Sequence, residues 1–258
     1  MGLGPEGIFE AGLKPLFVRK EIRFECEEIA LESEHPAEIS AAFHLCRKVA
    51  DRVRESRARG EFPIILSGNC NAAVGTVSGC GAASTGVAWF DAHGESTTPE
   101  TTSSGFLDGM PISTLLGRAW QTLAKTVPGF VAVPGKRILL IGAHDLEPSE
   151  IALLDDAGVR RAANVEQVGE ALSSLTRDVD QSYLHIDLDV LDPTAATANR
   201  WATRGGISVD SLLGGVAEIR KRANVVALGI ASYDPAIDRN GNALAAVVRA
   251  VETVLCGD

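Results

Sequence analysis

Residues 86–111 read GVAWFDAHGESTTPETTSSGFLDGMP. The stretch opens as an apolar run, Gly86–Phe90, with the length and composition of a buried strand. It then drops into Asp91, His93 and Glu95, three potential metal ligands on alternate residues. A second run, Ser182–Pro193 (SYLHIDLDVLDP), repeats the design. Side chains two apart on extended backbone point the same way, so Asp91 and His93 can converge, with Glu95 following after the chain turns. Asp187 and Asp189 share that geometry, and Asp192-Pro193 ends the strand. Carboxylates packed this closely repel unless a cation or protons compensate. Oxygen donors with a single imidazole suit a hard or borderline divalent ion such as Mn²⁺. If Asp91 and Asp187 each bridged, the set would hold two ions. Taken singly, each acid reads as a loop or helix cap; five ligand-type residues at two strand ends are harder to explain by packing.

Outward from these runs, short apolar strands alternate with helical patterns. Expected strands are Phe62–Leu66, Val87–Phe90, Lys136–Gly142, Ser182–Ile186 and Val225–Ile230, with a further short edge strand within the acidic stretch Glu21–Ala30. Expected helices are a short one after Gly4-Pro5-Glu6-Gly7, a long amphipathic one from His35-Pro36 to about Gly60, one that Asn71 caps, Ile112–Lys125, Pro148–Ala157 closed by Gly158, Val165–Leu175, Ser208–Arg222 and Asn242–Leu255. The alternation implies a parallel sheet covered by helices on both faces. No repeat or linker interrupts it, so residues 1–258 read as one domain. Ligands bind such sheets at the carboxyl ends of the strands, where each motif here begins.

Composition narrows the function. The apolar fraction of 45% is ordinary for a soluble protein, and no apolar stretch approaches the length of a membrane span. The start, MGLGPE, lacks the basic segment and apolar core of a signal peptide, and Glu6 breaks the myristoylation pattern, so a cytoplasmic protein with no membrane partner is expected. A net charge of −10 disfavours nucleic acid and is compatible with a small cationic substrate, or simply with solubility. Five cysteines without C-x-x-C spacing read as thiols rather than a disulfide framework.

Three blocks carry a family resemblance: Ser67-Gly68-Asn69-Cys70-Asn71, Asp91–Pro111 and His185–Pro193. Weaker support lies in Ile141–Glu150, Gly205–Ser208 and Ile230–Pro235. Over most of its length the chain resembles the arginase/agmatinase (ureohydrolase) family. That resemblance implies a three-layer α/β/α sandwich with a mostly parallel sheet of about eight strands. It implies two Mn²⁺ ions, a bridging hydroxide that attacks a guanidinium or related carbon, and a homo-oligomer, trimer or hexamer. The family's first strand, which precedes the equivalent of Gly4-Pro5-Glu6, is missing from this sequence.

By position, the resemblance makes Asp91, His93, Asp187 and Asp189 metal ligands. Cys70 stands where the family usually has a ligating His, and Glu95 where it has Asp. A thiolate at Cys70 would favour softer ions, and a thiol would leave that position weak; both readings stay open. Asn69-Cys70-Asn71, Asp108-Gly109-Met110 and Tyr233-Asp234-Pro235 resemble one branch of the family that shares these blocks. Asp108 stands where arginases have a proton-shuttling His, and could do that work only with a raised pKa. Ser232 stands where arginases grip the guanidinium with an acid. Thr97, Ser104 and Glu147 map onto contacts to the substrate's amino-acid end, although Glu147 also reads as the start of a helix. His144, at a strand end, is a candidate for a catalytic or substrate role, and His185 reads as core packing.

The expectation is a metal-dependent hydrolase of linear C–N bonds in a guanidino or amidino compound resembling arginine, N-hydroxyarginine or agmatine. The alternative is a non-catalytic or single-metal protein of the same fold that acts as a binding or oligomer partner. A zinc deacetylase-like hydrolase on a related sandwich is a third, weaker reading.

Overall fold

The computed structural model describes every residue except Ser33, Asp178 and Asp258. Six strands are found among the described residues: β1 (Ile64–Ser67), β2 (Thr85–Phe90), β3 (Ile138–Ile141), β4 (Arg160–Ala162), β5 (Gln181–Asp187) and β6 (Val225–Ala231). All pairings are parallel, in the order β1-β6-β5-β2-β3-β4. The helices are α1 (Gly4–Ile8), α2 (Lys14–Arg19), α3 (Glu38–Ala58), α4 (Ala72–Cys80), α5 (Pro111–Leu115), α6 (Gln121–Ala124), α7 (Pro148–Ala157), α8 (Val165–Leu175), α9 (Val209–Arg222) and α10 (Asn242–Cys256). A π-helical turn, Phe9–Leu13, joins α1 to α2.

Strand periodicity sorts the core into two clusters, one on each face of the sheet. Ala88, Phe90, Leu139, Ile141, Leu184, Ile186, Leu228 and Ile230 pack against α1, α2, α8, α9 and α10. Their alternates Val87, Trp89, Ile138, Leu140, Tyr183, Ala227 and Ala231 pack against α3, α4, α5 and α7. Three layers result, as a parallel sheet buried on both faces requires. β3 and β4 lie on one side of β2, and β5, β6 and β1 on the other, so the order reverses between β2 and β5. The crevice beyond the carboxyl ends at such a reversal is where open α/β sheets bind ligands. Asp91 follows β2 there, and Asp187 ends β5.

Several expectations are corrected. Glu21–Ala30 forms no strand; it is held by an ion pair from Arg52 to Glu27, by Lys48 donating to Ala30 O, and by Phe24 against Phe9 and Phe17. Ile22 packs on one core and Ile29 on the other, so the segment passes from one helical layer to the other without joining the sheet. The helix expected over Ile112–Lys125 is broken into α5 and α6 by left-handed backbone at Gly117 and Trp120. Asn71 stands at the N-cap of α4 but makes no side-chain cap; its amide donates to Asp108. β4 carries no apolar alternation (its first two residues are Arg160 and Arg161) and was invisible to pattern. Six strands replace the implied eight, with none before Ile64 among the described residues. Other boundaries agree closely: α7 and α8 match their expected spans, Gly158 closes α7 with φ +71°, and Ser208 caps α9 by accepting from Ser211 N. Among the described residues, no helix is long and apolar enough to cross a membrane.

Candidate metal centre

Every residue of the centre is delivered by a strand end or the loop that follows it. Asp91 is fully buried; Oδ1 accepts from His93 N at 2.8 Å and Oδ2 from Trp89 Nε1 at 2.9 Å. His93 Nδ1 faces Asp91 Oδ1 at 3.4 Å and Asp189 Oδ1 at 3.5 Å. Asp187 Oδ1 accepts from Asp189 N, and its Oδ2 receives both the Cys70 thiol at 2.8 Å and the Ser232 hydroxyl at 2.5 Å. Asp108 Oδ1 accepts from Cys70 N at 2.6 Å, at the entrance to α4. Three sets of donors each lie within 4.8 Å of one another: Asp91, His93 and Asp189; Cys70, Asp91 and Asp187; and Cys70, Glu95 and Asp108. Asp91 belongs to the first two and Cys70 to the last two, so the sets form one continuous centre.

The electrostatics demand compensation. Burial, and then the charge of Asp189, raises the Asp91 carboxyl to about 6. Burial also raises Asp108 to about 7, with Asp91 and Asp189 adding to it. Glu95 and Asp187 are pushed well above the usual carboxylate range, first by burial and then by their acidic neighbours. The Cys70 thiol is raised by burial and by Asp187, Asp108, Glu95 and Asp91 around it. Burial acts to lower His93, but its contacts with Asp189 and Asp91 overcome this and lift it to about 11. Each shift has one meaning: without a cation, this cluster holds protons. Two buried carboxylate oxygens, Glu95 Oε2 and Asp189 Oδ1, have no hydrogen-bond partner. Glu95 is also held in left-handed backbone, φ +49°, an uncommon conformation for a side chain-bearing residue. Orphaned oxygens among crowded acids, with one imidazole and one sulfur in reach, fit divalent cations.

Not every residue expected at the site joins it. Thr97 Oγ1 donates to Gly109 O at 2.7 Å, and Ser104 Oγ accepts from Phe106 N in an exposed loop. Glu147 is the N-cap residue of α7 and accepts from Ser103 Oγ. His144 is exposed, its Nδ1 2.8 Å from Gly142 O and its Nε2 3.1 Å from Thr203 Oγ1. Ser232 does reach the centre, through Asp187.

The structure adds residues that sequence reasoning passed over. His185, read as packing, is buried but touches Cys70 Sγ at 3.1 Å. The signal was present: Tyr183, His185 and Asp187 alternate along β5 and share a face. Glu150 is buried on α7, and its Oε1 accepts from Ser96 N beside Gly94, steadying the loop that presents Glu95. Asn199 bridges to Ser232 O through Nδ2 at 2.6 Å. Neither of these two had a spacing that marked it.

With this geometry in place, comparison with known proteins is informative. Residues 2–257 match the family model described as the arginase family. The arginase of Eremothecium gossypii is 30% identical over 222 residues, covering 81% of this chain and 54% of its own. That of Brevibacillus brevis is 29% identical over 187 residues, covering 69% of this chain and 63% of its own. The chain thus spans less than two thirds of the length of either curated relative. The crystal structure of the arginase from Bacillus subtilis has a TM-score of 0.90 at 24% identity, covering 99% of this chain and 92% of that one. At that identity the likeness is one of fold. The chain belongs to the arginase family, and its helix-covered parallel sheet is the arginase α/β fold.

Proposed function

We propose that the chain acts as one domain and hydrolyses linear C–N bonds in a small cationic guanidino or amidino compound, with divalent metal. The observation that carries this reading is the convergence of Cys70, Asp91, His93, Glu95, Asp108, Asp187 and Asp189 at the sheet's reversal point, with two buried carboxylate oxygens left without a hydrogen bond. Asp91, His93 and Asp189 are the residues suited to hold one ion, and Cys70, Asp91 and Asp187 a second, with Glu95 beside Cys70. Family resemblance favours Mn²⁺ for the pair. When bound, such ions supply positive charge and a water acidified toward neutral pH.

The chain's own groups do the rest. Trp89 fixes the rotation of Asp91 by donating to Oδ2. Burial raises Asp108 to about 7 in the metal-free chain, and a carboxyl held above its usual range is suited to accept and return a proton near neutral pH. The density of acid attracts a guanidinium and repels anions. Arginine-, N-hydroxyarginine- and agmatine-like compounds fit this chemistry. Thr97 and Ser104 are engaged within the loop after β2 and Glu147 accepts from Ser103 of that loop, so contact with the remote end of a substrate requires those bonds to be exchanged. His144, bonded toward Gly142 and Thr203, is assigned no proton-transfer step. Assembly into a trimer or hexamer follows from the same resemblance.

One observation favours a second reading, a non-catalytic or single-metal binding protein. Ser232 stands where resemblance implies an acid gripping the substrate, and its hydroxyl turns inward to Asp187. A single experiment separates the two. Bound metal is quantified after Mn²⁺ reconstitution, and release of urea or hydroxyurea is assayed from arginine, N-hydroxyarginine, agmatine and guanidinobutyrate. Stoichiometric metal with turnover of any one supports the hydrolase. Failure to retain metal rejects it, and metal without turnover selects the binding protein.

A further inference from the structure

Behind the metal centre, Tyr183, His185 and Cys70 form an unbroken chain of side-chain contacts. The Tyr183 hydroxyl lies 2.7 Å from His185 Nδ1, and His185 Nε2 lies 3.1 Å from Cys70 Sγ. Cys70 is 0% exposed, and Tyr183 and His185 are each 1% exposed. Trp89 stacks on the imidazole with centroids 3.8 Å apart and an interplanar angle of 27°. The sheet is built around this ring. Trp89, His185 and Gly229 are register partners across β2, β5 and β6. A Cβ at position 229 would stand 1.9 Å from the Tyr183 hydroxyl oxygen and 3.0 Å from His185 Nδ1. Only glycine leaves room there for the tyrosine–histidine pair.

A buried imidazole needs partners at both nitrogens, and this one has them. A hydroxyl that donates to Nδ1 leaves the ring proton on Nε2, aimed at the sulfur. Neutral thiols are weak acceptors, whereas a thiolate accepts a charge-assisted hydrogen bond. The arrangement therefore suits a sulfur that carries negative charge, as it does when bound to a metal. Outer hydrogen bonds of this kind orient ligands and tune metal affinity.

We propose that His185 is a positioning residue that makes Cys70 a thiolate ligand, with Tyr183 fixing its tautomer, Trp89 its ring plane and Gly229 its space. The proposal rests on the metal-site reading above and deepens it. A divalent ion held by Cys70 would displace the thiol proton to solvent, and His185 Nε2–H, 3.1 Å away, would face a sulfur that carries charge. It follows that the Cys70 position prefers a softer ion, Co²⁺ or Zn²⁺, to Mn²⁺.

The test is a Co²⁺ titration of the metal-free full chain followed by absorption. A thiolate bound to Co²⁺ gives a near-ultraviolet charge-transfer band that oxygen and nitrogen ligands do not. The wild type is expected to show it, and Cys70→Ser to lose it. His185→Phe keeps a ring against Trp89 but removes the donor, and should need about 10- to 100-fold more Co²⁺ to reach the same band. His185→Gln, which can present an amide N–H to the sulfur, should recover most of that loss. Tyr183→Phe should move the titration in the same direction by less. Circular dichroism checks folding, and should His185→Phe fail to fold, Tyr183→Phe decides. Co²⁺ bound without the sulfur band overturns this proposal and leaves the hydrolase reading intact. A wild-type titration curve in both His185→Phe and Tyr183→Phe also overturns it. Absence of any metal binding overturns both.

Discussion

Ser232 donates to Asp187 Oδ2 at 2.5 Å across the ends of β6 and β5. The serine does so from left-handed backbone, φ +66°, with its carbonyl tethered by Asn199. The same carboxylate oxygen lies 2.8 Å from the Cys70 thiol, and the other oxygen accepts from Asp189 N. Asp187 is thus saturated with donors, while Glu95 Oε2 has no hydrogen-bond partner and Asp189 Oδ1 faces only His93 Nδ1 at 3.5 Å. Three loops, after β1, β5 and β6, are locked together at this one carboxyl group.

Removing the serine hydroxyl should loosen that lock. Ser232→Ala is expected to lower the stability of the metal-free protein by about 1–2 kcal/mol, the worth of a buried hydrogen bond to an acid. Urea unfolding monitored by circular dichroism measures it. An unchanged unfolding midpoint would show that the contact contributes nothing.

The raised carboxyls make stability depend on pH with a defined sign. Burial and neighbouring acids raise Asp91 to about 6 and Asp108 to about 7 in the folded chain, from an ordinary 3.8. Between about pH 4 and about pH 7 the folded chain therefore holds protons that the unfolded chain has lost, and stability must fall as pH rises. His93 acts in the same direction at higher pH. Its contribution is complete below 6.5 and is lost as pH rises through about 11. The metal-free protein should be more stable near pH 5 than near pH 8, and added Mn²⁺ should shrink or reverse the difference by replacing the protons. Denaturation at both values, with chelator and with metal, tests this. Greater stability near pH 8 in chelator contradicts it.

Asp108→Asn preserves shape, and its amide oxygen can still accept from Cys70 N. If Asp108 carries the proton, the variant should retain its metal while kcat falls about 10²- to 10⁴-fold and the neutral limb of the pH–rate profile disappears. Loss of metal along with activity would reassign Asp108 to ligation.

Gly229→Ala should destabilise through overlap with the Tyr183 hydroxyl rather than through strand propensity. A cost of about 1–3 kcal/mol is the usual range for a core forced to overpack. Combining it with Tyr183→Phe removes the nearest oxygen and should recover part of the loss. Additive effects in the double variant would place the strain elsewhere.

Much of the fold was readable because it rests on local pattern. Buried parallel strands are continuous apolar runs, and helices carry caps such as Ser208 and stops such as Gly158. Where pattern was thin, reading failed. β4 is three residues with two arginines, and the break at Trp120 lies in a backbone angle. Glu21–Ala30 has strand-like residues but is held by Arg52 and Lys48 of α3 and by phenylalanines from the opposite layer.

The site divides in the same way. The sequence by itself determined which donors could exist and which share a face: Asp91 with His93, Asp187 with Asp189, and each pair at a strand end. Strand geometry fixes those relations locally. Only the tertiary structure decided that Cys70 and Asp108 come within reach of those acids, that Ser232 turns inward, that Ser104 is bonded within its own loop, and that Glu147 and His144 turn to Ser103 and Thr203. It also turned His185 from packing into a neighbour of Cys70. Those outcomes depend on strand order, register and the space left by a glycine on a neighbouring strand. They are relations between distant segments, and no local pattern encodes them.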